Sequence, residues 1–228
     1  MNQKKTAIIV AGGKGKRMNT EIPKQFLELN GKPILIHTLE KFHQFSNEIE
    51  LILVLPSTQI DLWRKLCKKH QFFIKHKIVK GGSSRFHSVK NGLSAVKNSN
   101  GLIAIHDGVR PLVDIETIKR SFDGANEFGA SIPVIDVVDS IRKVSGNENE
   151  AVDRNVIKLV QTPQVFRSKI ILKSYEQPYR KHFTDDASVV ESAGYSVKLV
   201  EGNRENIKIT HMQDLQLAEI LLKQILKF

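Results

Sequence analysis

With 228 residues, one cysteine (Cys67) and no extended apolar run, the chain has room for one large α/β domain but for neither an internal disulfide nor a bilayer span. The start Met1-Asn2-Gln3-Lys4-Lys5 has no hydrophobic stretch behind it to make a secretion signal, so a reducing, cytoplasmic setting is expected. A net charge of +11 calls for an anionic partner, yet the cations are scattered and aromatic residues are few. A nucleic acid is therefore disfavoured and a small polyanionic substrate expected, with plain solubilising charge as the alternative.

The first element is the apolar run Ala7-Ile8-Ile9-Val10, which reads as a buried parallel strand. Behind it lies Ala11-Gly12-Gly13-Lys14-Gly15-Lys16-Arg17-Met18, continued by Pro23-Lys24-Gln25. Glycines let a backbone approach a ligand and turn its N–H groups inward, and the cations supply charge that a packed turn does not need. The loop is neither a Walker A motif, since Gly15-Lys16 is followed by Arg17, nor a dinucleotide fingerprint, since Met18 stands where the third glycine belongs. Pro23 blocks a long helix directly after it. An anion site and a plain strand-to-helix turn with solvated lysines both stand at this point.

Helical spacing over 33–42, opened by Pro33, predicts a core-facing helix, and 49–55 a second buried strand. Ser57 is placed as the N-cap of a helix running to His70, with Cys67 half-buried in it, and 72–79 as a third strand. A second glycine loop, Gly81-Gly82-Ser83-Ser84-Arg85, leads into a helix over 86–96. The next strand, 101–106, delivers His106-Asp107-Gly108-Val109-Arg110-Pro111. Asp114 then caps a helix to Phe128, followed by a strand over 129–134.

The segment 136–155 breaks this alternation. A short strand at 140–144, a polar turn at 145–150 and Val152-Asp153-Arg154-Asn155 suggest a hairpin projecting from the sheet, followed by a strand at 156–161. It lies either on its own domain or against a second subunit, and the pattern does not choose. Beyond it come a helix over 168–177, Thr184-Asp185-Asp186-Ala187-Ser188 capping another helix, a strand at 197–201, and a last helix over 214–226. Its stripe of Leu215, Leu217, Ala218, Leu221, Leu222 and Ile225 reads as core. The expected architecture is α/β: one domain over 1–228, a mostly parallel twisted sheet with helices on both faces, and the β-arm.

Ligands of parallel sheets bind beyond the carboxyl ends of the strands, which gathers Gly12, Gly82, Asp107, Thr162 and Lys208 into one crevice with Arg17, Lys24, Arg85 and Arg110. A carboxylate among cations at a phosphate site is a ligand for a magnesium ion or an ion-pair partner for Arg110. No Ser-His-Asp arrangement or histidine cluster is legible, and His106 at a strand end is expected to be packed or hydrogen-bonded. Phosphoryl or nucleotidyl transfer by positioning fits best.

The two loops, with Ser88-Val89, His106 to Pro111, Gln161-Thr162-Pro163-Gln164, Thr184 to Ser188 and Asn206-Ile207-Lys208-Ile209-Thr210, resemble in order the 2-C-methyl-D-erythritol 4-phosphate cytidylyltransferase family of the non-mevalonate isoprenoid route. The resemblance implies a Rossmann-like, three-layer nucleotidyltransferase. Its substrates are CTP and 2-C-methyl-D-erythritol 4-phosphate, with Mg2+ or another divalent cation at Asp107. It places Arg17, Lys24 and Lys208 at the reacting phosphates. Ala11, Gly12, Gly13, Gly15, Lys16, Gly82, Ser88, Asp107 and Gly108 fall around CTP, and Arg110, Ser140, Arg154, Thr162 and Thr184 around the sugar phosphate. Arg154 would act in the neighbouring subunit's site, which implies a homodimer built through the arm. Ser83 stands where the family often has an acidic residue, the stretch before Arg142 is about two residues longer than the common form, and Gly108 replaces an alanine at little expected cost. The rival readings are a ribitol 5-phosphate cytidylyltransferase and a catalytically silent nucleotide-binding regulator.

Overall fold

The computed structural model describes residues 3–12, 22–97 and 100–225. Strands β1 (Lys4–Val10), β4 (Glu50–Leu55), β5 (Lys77–Lys80), β6 (Gly101–Asp107), β7 (Ala130–Asp136) and β12 (Lys198–Glu201) run in one direction, while β10 (Lys158–Val160) and β11 (Gln164–Arg167) oppose them. The order across the sheet is β12-β7-β11-β6-β1-β4-β5, with β10 continuing the line of β11 along β7. The small ladder β2 (Glu28–Leu29) with β3 (Lys32–Pro33) stands apart. So does the hairpin of β8 (Ile141–Ser145) and β9 (Glu148–Val152), which is the expected arm. Its turn is tighter than the polar stretch suggests: Ser145 pairs with Glu148, leaving only Gly146 and Asn147 between them.

Burial on both faces explains why Ala7 to Val10 of β1 and Leu51 to Leu55 of β4 are apolar at every position. Ala7, Ile9, Leu51 and Leu53 face helices α1 (Ile34–Phe45), α2 (Ile60–Lys69) and α4 (Ile115–Phe128), where Leu39, Phe42, Trp63 and Phe122 are buried. Ile8, Val10, Ile52 and Val54 face α3 (Arg85–Leu93), α5 (Ser168–Ser174) and α6 (Asp186–Ser192). Each such side chain stabilises the fold by roughly 1.5–3 kcal/mol. A third cluster seats α7 (Met212–Ile225) on Leu29, Ile34 and Val109.

Four local expectations change. Ser57 opens a 3-10 turn, Ser57–Gln59, and α2 starts at Ile60 without a side-chain cap. The strand expected over 72–79 shortens to β5, because Gln71 takes a positive φ of 50° and turns Phe72 inward onto Trp63. The strand expected over 156–161 begins only at Lys158, since Arg154–Val156 is a 3-10 turn. On α7 only Leu215, Ala218 and Leu222 are buried, while Leu217 and Ile225 are exposed.

The Trp63 corner carries a pH dependence. The indole N–H donates to His76 Nε2 at 3.0 Å and His76 Nδ1 meets the Ile74 carbonyl at 2.7 Å, so the proton must sit on Nδ1 and the ring must be neutral. Burial, partly countered by the Ile74 carbonyl, lowers the His76 pKa from 6.5. A base whose folded pKa is depressed stabilises the fold above its unfolded pKa and loses that contribution as pH falls through about 6.5. The urea midpoint followed by fluorescence of Trp63, the sole tryptophan, is expected to fall between pH 7.5 and 5.5. His76→Gln is expected to flatten that slope; an unchanged slope removes His76 from the effect.

Candidate functional site

The carboxyl ends of β1, β4, β5 and β6 open into a cleft of about 690 Å3. Its described walls are Ala11 and Gly12 after β1, Lys24 and Gln25, the 56–59 turn, the second glycine loop with Arg85 and Ser88, and Asp107, Val109 and Lys208. Gly13, Gly15, Lys16 and Arg17 lie outside the described residues.

The second glycine loop is shaped by α3. Ser84 caps this helix by accepting from the His87 N–H, and Ser88 Oγ, on the first turns, accepts from the Gly82 N–H at 3.0 Å. A Cβ on Gly82 would lie 2.4 Å from His87 Cβ, so only glycine lets the loop fold back on the helix. The cleft thereby receives a helix N-terminus, which favours anions.

Facing that helix end is the turn from Asp107 to Arg110, closed by Arg110 N–H donating to the Asp107 carbonyl at 3.0 Å. Asp107 Oδ2 accepts from Lys208 Nζ at 2.8 Å, and its carboxylate lies 3.7 Å from Arg85 Nε and 3.6 Å from Arg110 Nε. Burial opposes ionisation of Asp107, but Arg85, Lys208 and Arg110 outweigh it and hold the carboxyl well below the usual range. Asp107 is thus no partner of Arg110 alone. Lys24, in the 3-10 turn Lys24–Phe26, donates from Nζ to the Ile209 carbonyl at 3.2 Å, and Ile209 N–H donates to the Val109 carbonyl at 3.0 Å. One backbone bridge therefore sets Lys24, Lys208 and the Asp107 turn around the same space, with three cations against one carboxylate among the described walls.

The structure separates the sugar-phosphate candidates from this cleft. Arg110 is largely buried behind Asp107, with Nη1 donating to the Asn206 carbonyl at 2.6 Å. Thr162 is buried beside it, its hydroxyl taken by the Asp107 N–H and His106 Nδ1. Ser140, Arg154 and Thr184 are exposed outside the cleft walls, and Arg154 Nη1 donates to the Val138 carbonyl. Gly108 also lies off the walls. A Cβ there would sit 2.9 Å from Ala11 Cβ and 3.1 Å from Leu35 Cδ1, so in this backbone an alanine would press on the β1 loop.

Two features went unassigned in the sequence. Gln25 Nε2 donates to the Ala11 carbonyl at 2.9 Å and to Gln59 Oε1, tying the first loop to the 56–59 turn. Asp186, fully buried, takes Arg85 in a two-pronged pair at 2.9 and 2.6 Å and the Tyr175 hydroxyl at 2.6 Å. Gln164 Oε1 accepts from the N–H groups of Asp186 and Ala187, anchoring α6 to β11. Gln25 and Asp186 sit inside quoted motifs, but their roles depend on contacts across 11 to 101 positions. Asp186→Ala takes both short hydrogen bonds from the Arg85 guanidinium and the one from the Tyr175 phenol, and is expected to cost about 3 kcal/mol, read from urea unfolding. A loss under 1 kcal/mol would show that the pair is dispensable.

No group of three or more His, Cys, Asp or Glu side chains able to hold a metal occurs among the described residues. One carboxylate in a cleft lined by Lys24, Arg85 and Lys208 fits Mg2+, which binds through one or two carboxylates plus substrate phosphates. Among the described residues no helix is long and apolar enough to cross a membrane.

Residues 5–224 match the family model described as IspD, 2-C-methyl-D-erythritol 4-phosphate cytidylyltransferase. The enzyme of that name from Bacteroides fragilis is 57% identical over 218 residues, covering 96% of this chain and 99% of its own. That from Porphyromonas gingivalis is 48% identical, covering 97% and 99%. The crystal structure of 4-diphosphocytidyl-2C-methyl-D-erythritol synthase from Anaerococcus prevotii superimposes with a TM-score of 0.82 at 28% identity, over 97% of this chain and 99% of that one. The crystal structure of the Thermus thermophilus cytidylyltransferase gives 0.77 at 30% identity, over 98% and 100%.

Proposed function

Because the chain belongs to the 2-C-methyl-D-erythritol 4-phosphate cytidylyltransferase family, we propose that the cleft between the second glycine loop and the Asp107 turn carries out that family's transfer reaction. The protein is a nucleotidyltransferase of the non-mevalonate isoprenoid pathway, using CTP and 2-C-methyl-D-erythritol 4-phosphate. A phosphate oxygen of the sugar attacks the α-phosphorus of CTP, a new P–O bond forms, the bond to the β-phosphate breaks, and pyrophosphate leaves with the electron pair.

The observation that carries this reading is the convergence of Lys208 and Arg85 on Asp107 beside a helix N-terminus, with Lys24 in the same cleft wall. Lys24 and Lys208 stabilise the charge that builds on the phosphoryl oxygens, together with Arg17 by motif position. Ala11, Gly12, Gly82 and Ser88 line the nucleoside end, with Gly13, Gly15 and Lys16 continuing the loop. Asp107 would hold Mg2+ with the phosphate oxygens of CTP. When bound, the ion neutralises triphosphate charge and aligns the leaving group. Lys208 Nζ, 2.8 Å from the Asp107 carboxylate, would share that carboxylate with the ion.

The sugar-phosphate side is completed by a second copy. Arg154, Ser140 and the β8–β9 arm stand clear of their own cleft, and Val138, Val144, Val156 and Leu159 around them are exposed apolar side chains that a partner would cover. Arg110 and Thr162 sit behind Asp107 and shape that end from within, and Thr184 lies at the mouth of α6. The enzyme works as a cytoplasmic homodimer. Turnover of CTP measured side by side with 2-C-methyl-D-erythritol 4-phosphate and ribitol 5-phosphate, with and without Mg2+, tests the assignment. Activity with ribitol 5-phosphate alone would overturn the substrate, and undiminished turnover in EDTA the metal.

A further inference from the structure

The turn that carries Asp107 and Arg110 is held by more than its own hydrogen bond, and the brace is a side chain that no substrate can touch. His106 is fully buried, with its ring edge-on to Phe42 at 5.0 Å. Its Nε2 lies 3.0 Å from the Arg110 carbonyl, which can only accept, so Nε2 carries the proton. Nδ1 is then an acceptor, and it takes the Thr162 hydroxyl at 3.0 Å. Thr162 Oγ1 in turn accepts the Asp107 N–H at 3.1 Å. With the ring neutral, every proton in this relay has one possible place. It runs from the Asp107 backbone through Thr162 and His106 to the Arg110 backbone and so grips both ends of the turn. Asn206 extends it by donating to the Thr162 carbonyl at 2.8 Å while its own carbonyl receives Arg110, which attaches the Lys208 segment to the same unit.

We infer that His106 is a positioning residue of the transfer reaction: as the neutral Nε2–H tautomer it sets the Asp107–Arg110 turn, and through Asn206 the Lys208 segment, in the geometry the phosphates require. The inference rests on the cleft being the reaction site. Small displacements of catalytic groups lower turnover steeply while leaving substrate affinity nearly intact, and that split separates positioning from binding.

The test uses the whole enzyme in two arms. In the wild-type protein, 15N spectra of labelled histidine at pH 7.5 are expected to show His106 as the Nε2–H tautomer; an Nδ1–H ring or an imidazolium overturns the proposal. In the kinetic arm, His106→Phe keeps the ring and loses both hydrogen bonds, whereas His106→Asn keeps an acceptor toward Thr162. His106→Phe is expected to lower kcat at least tenfold per folded molecule with KM for CTP changed less than threefold, and His106→Asn to recover part of the loss. Wild-type kcat in His106→Phe, or a loss matched by unfolded protein, overturns the proposal; if the variant does not fold, the tautomer decides. An inactive wild-type enzyme would instead count against the reaction assigned to the cleft, so the two failures are distinguishable.

Discussion

Replacing Lys24 with alanine is expected to lower kcat about a hundredfold or more, the usual scale for one preorganised charge at a transition state. The ammonium is almost buried and is aimed by its bond to the Ile209 carbonyl, the residue that also ties the Lys208 segment to the Asp107 turn. Such a group needs little reorganisation when charge develops on the phosphoryl oxygens, and its loss is felt in turnover more than in CTP affinity. Loss of the hydrogen bond to the Ile209 carbonyl should lower stability by about 1 kcal/mol. Steady-state turnover with urea unfolding on the same preparation checks both halves. A kcat within threefold of wild type would take Lys24 out of the mechanism.

The second large effect is a gain. Arg154→Ala and Lys24→Ala enzymes should each be nearly inactive, but mixed after partial unfolding and refolding they should regain activity. In a hybrid dimer one cleft has its own Lys24 and receives an intact Arg154 from the other subunit, while the second cleft lacks both. Random pairing makes half the dimers hybrid with one working site in two, so about a quarter of wild-type activity returns. The motive is geometric: Arg154 is exposed beside the arm, outside the cleft formed by its own chain. No recovery would place Arg154 outside the shared site, and Arg154→Ala alone should impair use of the sugar phosphate more than binding of CTP.

Much of the fold was legible because its signals are local. The unbroken apolar runs of β1, β4 and β6 follow from burial on both faces, and the caps at Asp114 and Asp185 are bonds across three residues. The misreadings occur where a contact outside the element decides. Phe72 leaves the strand pattern because Trp63 offers it a pocket, and Leu217 and Ile225 carry helical periodicity without any element packed over them. A hydrophobic period states that one face is apolar, not that something covers it.

The site divides in the same way. Glycine loops, cations and a lone carboxylate at strand ends pointed by themselves to an anion-binding cleft suited to phosphoryl or nucleotidyl transfer, since residue type at the carboxyl edge of a parallel sheet restricts the chemistry. The order of the motifs along the chain, through the family it resembles, narrowed that to nucleotidyl transfer. Which of those residues face the cleft was decided only by tertiary structure. Arg110 and Thr162 are held behind Asp107 by the Asn206 carbonyl, the Asp107 N–H and His106, Asp186 is the hidden counter-ion of Arg85, and His106 bonds to partners 4 and 56 positions away. The reason is physical: hydrogen bonds and ion pairs depend on distances of a few ångströms between segments far apart in the chain, and spacing along a sequence holds no record of those distances.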